Sequence, residues 1–395
     1  MWIGFEYFET QKKCKKNICK YEKYLEKNHL KIDEKYYRTI WPITGAASPE
    51  NDAIFSVGII DQTLLPHRFE VKELARLDEM ILAIKTMQVR GAPLIGAAAA
   101  YGMALAVQTD ASDTHIEKSA QALLQSRPTA VNLRWAVNRM QIALAALPLK
   151  ARNQKAWEEA RLICDEDVQI NQAIGGHGLA LIQDAAAKGS KSVFNILTHC
   201  NAGWLATVDW GTALAPIYAA HDAGMNVHVW VDETRPRNQG ASLTAWELVK
   251  HGVPHTIISD NAGGHLMQHG QVDMIIVGAD RVTSTGDVCN KIGTYLKALA
   301  AFDNNIPFYV AVPSPTIDWT IQDGLSDIEI EMRDADEVRF MTGLAKDGAI
   351  QTVRVTPIHS HALNPAFDVT PARLVTGIIT ERGVTAPNKL KQLFN

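Results

Sequence analysis

SVFNILTHC (192–200), NVHVWVDE (226–233), HTIISD (255–260), DMIIVGAD (273–280) and PFYVAV (307–312) are five short runs rich in β-branched and apolar residues. Runs of this kind are strands of a parallel sheet with both faces covered. The stretches between them suit helices. VDWGTALAPIYAAHDAG (208–224) is ended by Gly224, and SLTAWELVKHG (242–252) is capped by Ser242 and ended by Gly252. AGGHLMQHG (262–270) and IGTYLKALAAF (292–302) supply two more. Strands alternating with helices make an α/β fold. In such sheets ligands sit beyond the carboxyl ends of the strands. Cys200, Asp232, Glu233, Asp260 and Asp280 are therefore the residues to weigh.

Towards the amino terminus the pattern is different. SVGIIDQTLLP (56–66) is a β segment ended by Pro66. Three- and four-residue apolar spacing predicts helices over about 71–86, 93–108 and 131–146, and a longer one over about 153–172. Residues 1–37 break in composition, with nine lysines between Lys12 and Lys35. They read as a solvated extension, a basic patch for a partner, or a start placed too far upstream.

Composition narrows the class. The chain has 395 residues, 47% hydrophobic and 21% charged, with a net charge of -4. That argues against a basic nucleic-acid binder and against a core-poor disordered chain. LIGAAAAYGMALAVQ is too short and too rich in Gly and Ala for a membrane span. Five cysteines fit no disulfide framework, which suits a reducing cytoplasm. No GxGxxG or Walker loop follows a strand, so neither NAD nor ATP is expected.

Cys200 is followed by the polar turn Asn201-Ala202-Gly203. It reads as a buried core thiol or as a group facing the crevice. Asp280 reads as a cap or ion-pair partner, or as a carboxyl whose pKa rises in an apolar pocket until it holds a proton. Asn290 and Lys291 precede a helix, as a cap or as a grip on an anion or sugar oxygen. In VRGAPLIG, Arg90, Gly91 and Ala92 lead into a helix begun by Pro93, which suits an anion site. Arg90→Ala is then expected to raise KM more than it lowers kcat. Arg127 is held in a loop by Pro128. His265 and His269 lack the HExxH glutamate and read as partly buried histidines, and His359 and His361 as loop hydrogen-bonders. No metal is expected.

Assembled, these segments resemble the methylthioribose-1-phosphate isomerases. IIDQTLLP, VRGAPLIGAAAAYG, SRPTAVNLRWAV, ILTHCNAGWLAT, VDETRPRNQGASLTAWEL, IIVGADRV, NKIGTYLKA and NPAFDVTP carry the likeness in order. That family is related to regulatory subunits of a translation-initiation exchange factor and to archaeal ribose-1,5-bisphosphate isomerases. The resemblance implies a Rossmann-like parallel-sheet domain over 166–395 and a smaller α+β domain over 38–165. It implies conversion of 5-methylthioribose 1-phosphate to its ketose in methionine salvage. It implies Asp280 as proton donor and Cys200 at the transition state. Arg90, Gly91, Ala92, Arg127, Gln239, Asn290 and Lys291 would bind substrate. The expected partner is a small sugar phosphate, with no nucleic acid, membrane or cofactor. A cytoplasmic homodimer is implied. Alternatives are an isomerase of 5-deoxyribose 1-phosphate or ribose 1,5-bisphosphate, or a non-catalytic regulatory relative. The departures are GGH in DNAGGHLMQ, Asn238, the extension, and a long insert at 42–58.

Overall fold

The computed structural model describes residues 30–32, 35–44 and 55–395. The lysine-rich stretch up to 29, with Cys14 and Cys19, lies outside the described residues. So does 45–54, the middle of the insert. A small antiparallel pair comes first, β1 (Leu30–Ile32) with β2 (Lys35–Tyr37). Ile32 is 3% exposed and joins the core of the second half. β3 (Ile40–Thr44), β4 (Phe55–Ile60) and β5 (Val71–Leu74) form a three-stranded antiparallel sheet.

Five helices follow: α1 (Leu77–Lys85), α2 (Ala92–Thr109), α3 (Asp113–Leu124), α4 (Val131–Ala145) and α5 (Leu149–Lys188). The helix expected over 71–86 is a correction. Residues Val71–Leu74 pair with β4, and the helix begins only after Arg76, where Glu79 accepts from the Ala75 and Arg76 N–H groups. α3 has no counterpart in the sequence expectation, because its buried face is only Ile116, Ser119, Ala120 and Leu123. α2 is apolar on every side and is the buried centre of this half. Among the described residues it alone is long and apolar enough to cross a membrane, yet 89% of it is buried in the protein.

α5 runs 40 residues, about 60 Å at 1.5 Å per residue. Trp157, Ile163 and Val168 pack into the core of the first half, and Ile174 and Ile182 into that of the second. The expected boundary at 165/166 thus falls inside one continuous helix.

The second half continues with β6 (Phe194–Thr198), α6 (Ala215–Asp222), β7 (Val227–Asp232), α7 (Ala245–His251), β8 (His255–Ile258), α8 (Ala262–Gln268) and β9 (Met274–Val277). Then come β10 (Arg281–Thr283), β11 (Val288–Lys291), α9 (Thr294–Asp303), β12 (Phe308–Ala311) and β13 (Ile317–Asp318). The chain ends with α10 (Gly324–Asp327), α11 (Asp336–Arg339), the hairpin β14 (Phe340–Leu344) and β15 (Ile350–Arg354), β16 (Phe367–Thr370), β17 (Gly377–Thr380), β18 (Gly383–Thr385) and α12 (Leu390–Phe394).

All five predicted strands lie in one seven-stranded sheet of order β18-β17-β12-β9-β6-β7-β8. Its pairs are parallel except the edge pair β17–β18. β7 and β8 extend one way from β6, and β9 returns to its other side. This reversal opens a crevice at the carboxyl ends of β6 and β9. A second sheet, β13-β10-β11-β16, stands beside it.

Three local expectations change here. The helix expected over 208–224 begins only at Ala215, because Trp210 and Gly211 have φ of 72° and 80° and break it. Ser242 does not cap a helix; it lies inside a π-helical turn, Gly240–Thr244, that runs into α7. Asn290 and Lys291 belong to β11, and α9 starts after Gly293 at φ 103°.

Candidate active site

β6 delivers the first candidate group, Cys200. Beyond Thr198 the chain turns sharply, with Cys200 at φ 67°. A non-glycine residue holds that left-handed conformation only where its surroundings enforce it. Two threonines do so. The Cys200 N–H donates to Thr234 Oγ1 at 2.8 Å, and Thr244 Oγ1 donates to the Cys200 carbonyl at 2.7 Å. The thiol is thereby aimed into the crevice, 3.6 Å from Gln239 Oε1. Burial pushes the thiol above its ordinary pKa, while Arg90 and Lys291 pull it down.

The next residue is a bracket. Asn201 accepts both arms of Arg90, at 2.6 Å on its side chain and 2.8 Å on its carbonyl. Its amide donates to Glu247 Oε1 at 2.8 Å. Glu247 also accepts from the Trp204 and Leu205 N–H groups and the Tyr218 hydroxyl. Arg90 is therefore fixed from behind, beside the start of α2. The first N–H groups of a helix lack intrahelical acceptors and favour an anion. Gly91 has φ 91°, and a Cβ there would lie 2.4 Å from the Ala206 carbonyl oxygen, so only glycine fits.

β9 delivers Asp280. Desolvation raises its carboxyl pKa, opposed by Lys291, Arg127 and Arg90. Lys291 is buried, its Nζ donating to the Ala366 carbonyl at 2.9 Å over the Phe367 ring. Burial pulls its pKa down, and Cys200 and Asp280 pull it up. Arg127 pairs with Glu331 at 2.8 Å. Its buried Nε has no partner among the described residues. Asn290 Nδ2 donates to Thr294 Oγ1 at 3.0 Å.

Arg90, Gly91, Ala92, Cys200, Asp280 and Asn290 line one crevice. Gln239 meets it at the thiol. Arg127 borders Asp280 and Ala92 from a neighbouring hollow. Lys291 is not in the crevice lining, although it adjoins the lining residue Asn290.

Beneath the crevice lies a hub that sequence reasoning reached only in part. His199 Nδ1 is 2.8 Å from Asp232 Oδ2, and its Nε2 is 2.8 Å from the Ile292 carbonyl. Lys297 Nζ is 3.2 Å from Asp232 and donates to the Asp260 carbonyl. The Asp260 carboxylate accepts the Thr234 and Arg235 N–H groups, both at 2.7 Å. The hub thus ties together the Cys200 turn, the loop leading to Gln239 and the end of β11. Asp232 and Asp260 are legible as strand-end acids; His199 and Lys297 carry no local signal. Among the described residues, His199, Asp232 and Asp260 are the one group with metal-holding spacing, and the Lys297 ammonium already supplies a cation there. His265 and His269 are exposed, correcting their reading as partly buried; His359 and His361 are exposed too.

The chain and its fold have counterparts among known proteins. The pattern of the initiation factor 2 subunit family matches residues 88–387. The methylthioribose-1-phosphate isomerase of Rhodospirillum rubrum is 64% identical over 354 residues, 88% of this chain and 89% of that protein. The chain belongs to the methylthioribose-1-phosphate isomerase family. The Methylorubrum extorquens isomerase is 63% identical over 90% of this chain and 95% of its own. Among solved structures, 5-methylthioribose 1-phosphate isomerase from Pyrococcus horikoshii superposes with TM-score 0.74 at 41% identity, covering 91% of this chain and 96% of that one. Subunit delta of translation initiation factor eIF-2B from A. fulgidus gives 0.72 at 39%, covering 91% and 100%.

Proposed function

We propose that this protein is an aldose–ketose isomerase that converts 5-methylthioribose 1-phosphate to 5-methylthioribulose 1-phosphate in methionine salvage. The observation that carries the reading is the placement of Cys200 and Asp280 in one crevice with the start of α2. A regulatory, non-catalytic relative has no need of that pair. Arg90, Gly91 and Ala92 receive the phosphate; Arg127, Gln239, Asn290 and Lys291 orient the sugar.

The phosphate ester on C1 blocks the ring opening open to a free sugar. Asp280, whose desolvated setting raises its carboxyl pKa, gives its proton to the ring oxygen as the C1–O bond breaks. Hydrogen then moves from C2 to C1, the C2 hydroxyl returns a proton to the Asp280 carboxylate, and C2 becomes the ketone. In one route Cys200 removes the C2 proton and a phosphoenolate forms. In the other the hydrogen shifts as hydride and Cys200 steadies the developing charge. A thiol that burial keeps neutral is a weak resting base, which favours the shift. No step draws on a metal or organic cofactor.

Incubation with 5-methylthioribose 1-phosphate, followed by NMR, is expected to show the ketose 1-phosphate. No ketose would overturn the reading. Substrate deuterated at C2 separates the routes: full transfer to C1 marks the shift, and wash-out marks the enolate. The division into units 38–165 and 166–395, the homodimer and the cytoplasmic setting belong to the same proposal. Exposed Leu344, Ile350, Val353, Val355, Ile358 and Leu363, on and after the hairpin, support a self-association surface. Light scattering tests it.

A further inference from the structure

Between β13 and β16 the stretch 328–337 links two sides of the site. Ile328 and Glu329 help to line the hollow beside Asp280, and Asp336 and Glu337 help to line a cavity that Gln239 also borders. Five charges of alternating sign run along this stretch. Arg127 Nη2 donates to Glu331 Oε2 at 2.8 Å. Arg333 Nη1 donates to Glu331 Oε1 at 2.8 Å. The same guanidinium forks onto Glu337, with Nη2 2.6 Å from Oε1 and Nε 3.0 Å from both oxygens. Arg237 Nη1 donates to Glu337 Oε1 at 2.9 Å. Buried Asn364 anchors the middle: it donates to Glu337 Oε2 at 2.9 Å, and its carbonyl accepts the Arg333 N–H at 2.9 Å.

The ends of this ladder reach the substrate contacts. Arg127 lies in the loop between α3 and α4, borders Asp280, and keeps its buried Nε unpartnered among the described residues while Glu331 holds its Nη2. Arg237 lies in the loop after β7, two residues before Gln239, and Arg235 Nη2 ties the same loop to the Val338 carbonyl at 2.8 Å. Isolated exposed ion pairs contribute little, but forked arginine–carboxylate pairs joined in a network hold geometry. Burial opposes the charge on Glu337, yet Arg333 and Arg237 hold its carboxyl down at about 2, so the ladder is charged at neutral pH. Arg333 itself is not among the described residues that line the crevice, the hollow or the cavity. We infer, on the isomerase reading, that Arg333 is a positioning residue: by gripping Glu331 and Glu337 at once it sets the span between Arg127 and the Gln239 loop. Two separate substrate contacts are thereby ordered before the sugar phosphate arrives, and the binding step does not have to order them.

The test is steady-state kinetics with 5-methylthioribose 1-phosphate, with ketose followed by NMR, beside a thermal melt of each variant. Arg333→Met keeps most of the side chain and removes the fork. Its KM is expected to rise about tenfold, while kcat stays within about threefold of the wild type. Loss of folded protein alone does the reverse: it lowers the apparent kcat and leaves KM where it was. Glu337→Gln is expected to raise KM in the same way, and the double mutant to be little worse than the poorer single mutant, because both act through one contact. Arg333→Lys keeps the charge but cannot fork, and its KM is expected to fall between those of the wild type and Arg333→Met. Should Arg333→Met not fold, an unchanged KM in Arg333→Lys overturns the inference. So does an unchanged KM in Arg333→Met, a kcat loss larger than the rise in KM, or single-mutant KM effects that simply multiply in the double mutant. In each of these cases wild-type turnover leaves the isomerase reading intact. No ketose from the wild-type chain overturns that reading, and the inference with it.

Discussion

At the scale of single residues, the proposed mechanism has Cys200 and Asp280 act on the same few atoms. Cys200→Ser and Asp280→Asn should each lower kcat by about 100-fold or more, the range of general acid–base groups. The double mutant should be little worse than the poorer single mutant. Calorimetry should show substrate binding surviving in both. Near-normal turnover in Asp280→Asn would remove the proton donor from the mechanism. Arg90 is a different case. Read from sequence it only holds phosphate, so its loss should act on KM. The structure adds its two bonds to Asn201, the neighbour of the thiol. Arg90→Ala should therefore lower kcat as well as raise KM; an unchanged kcat in steady-state assays would show the bracket is idle. The acid's environment has a sign that can be tested. As the proposed proton donor Asp280 works while protonated, so kcat/KM is expected to fall as pH rises through its raised pKa. Glu331 helps to raise that pKa and also engages Arg127, whose charge lowers it. Glu331→Gln removes the first effect and releases the second. The alkaline limb of the pH profile should move to lower pH, and an unmoved limb would disprove the coupling.

At the scale of elements, the hub beneath the crevice explains why three segments hold one geometry. Lys297 is 5% exposed and Asp232 fully buried. Removing one partner of such a pair leaves a buried, uncompensated charge, at a cost of about 3–5 kcal/mol. Lys297→Met should show that loss in urea unfolding. Adding Asp232→Asn should recover part of it, and no recovery would mean the two do not interact. The hub also marks the limit of what the sequence discloses. Strands β6, β7, β8, β9 and β12 are legible because each lies in a short run rich in β-branched and apolar residues. Cys200 and Asp280 are legible because they follow such runs. β5 is hidden because V-K-E-L adjoins a true helix, and α3 because its apolar face is thin. His199 pairs with Asp232 and Ile292, and Asn201 with Arg90 and Glu247. Nothing local in the chain announces a contact between residues so far apart, and those contacts brace the left-handed turn that carries the Cys200 thiol.

At the scale of the whole molecule, the open question is where the working body begins. Composition alone draws the line at Arg38, before which no family motif occurs, and on that view a chain starting there should lose nothing. The structure argues otherwise for the last residues before it. Ile32 is 3% exposed and packs into the core beneath the catalytic sheet. Tyr37 meets Trp41 and Phe69 with ring centroids 5.9 and 5.4 Å apart, and Phe69 in turn stacks on Trp246 of α7. β1 and β2 therefore cover the seam between the first sheet and the second half. Burying one such side chain contributes about 1.5–3 kcal/mol, and aromatic pairs add about 0.5–1.5 kcal/mol each. A chain beginning at Arg38 should melt several degrees below the full chain. Ile32→Ser in the full chain should reproduce part of that loss. Turnover per folded molecule should be preserved in both, because no described residue before Arg38 lines the crevice. Calorimetric melts paired with NMR assays decide the matter. Equal melting temperatures would show that the strand pair is an ornament, and lost turnover with an unchanged melt would show that it reaches the site.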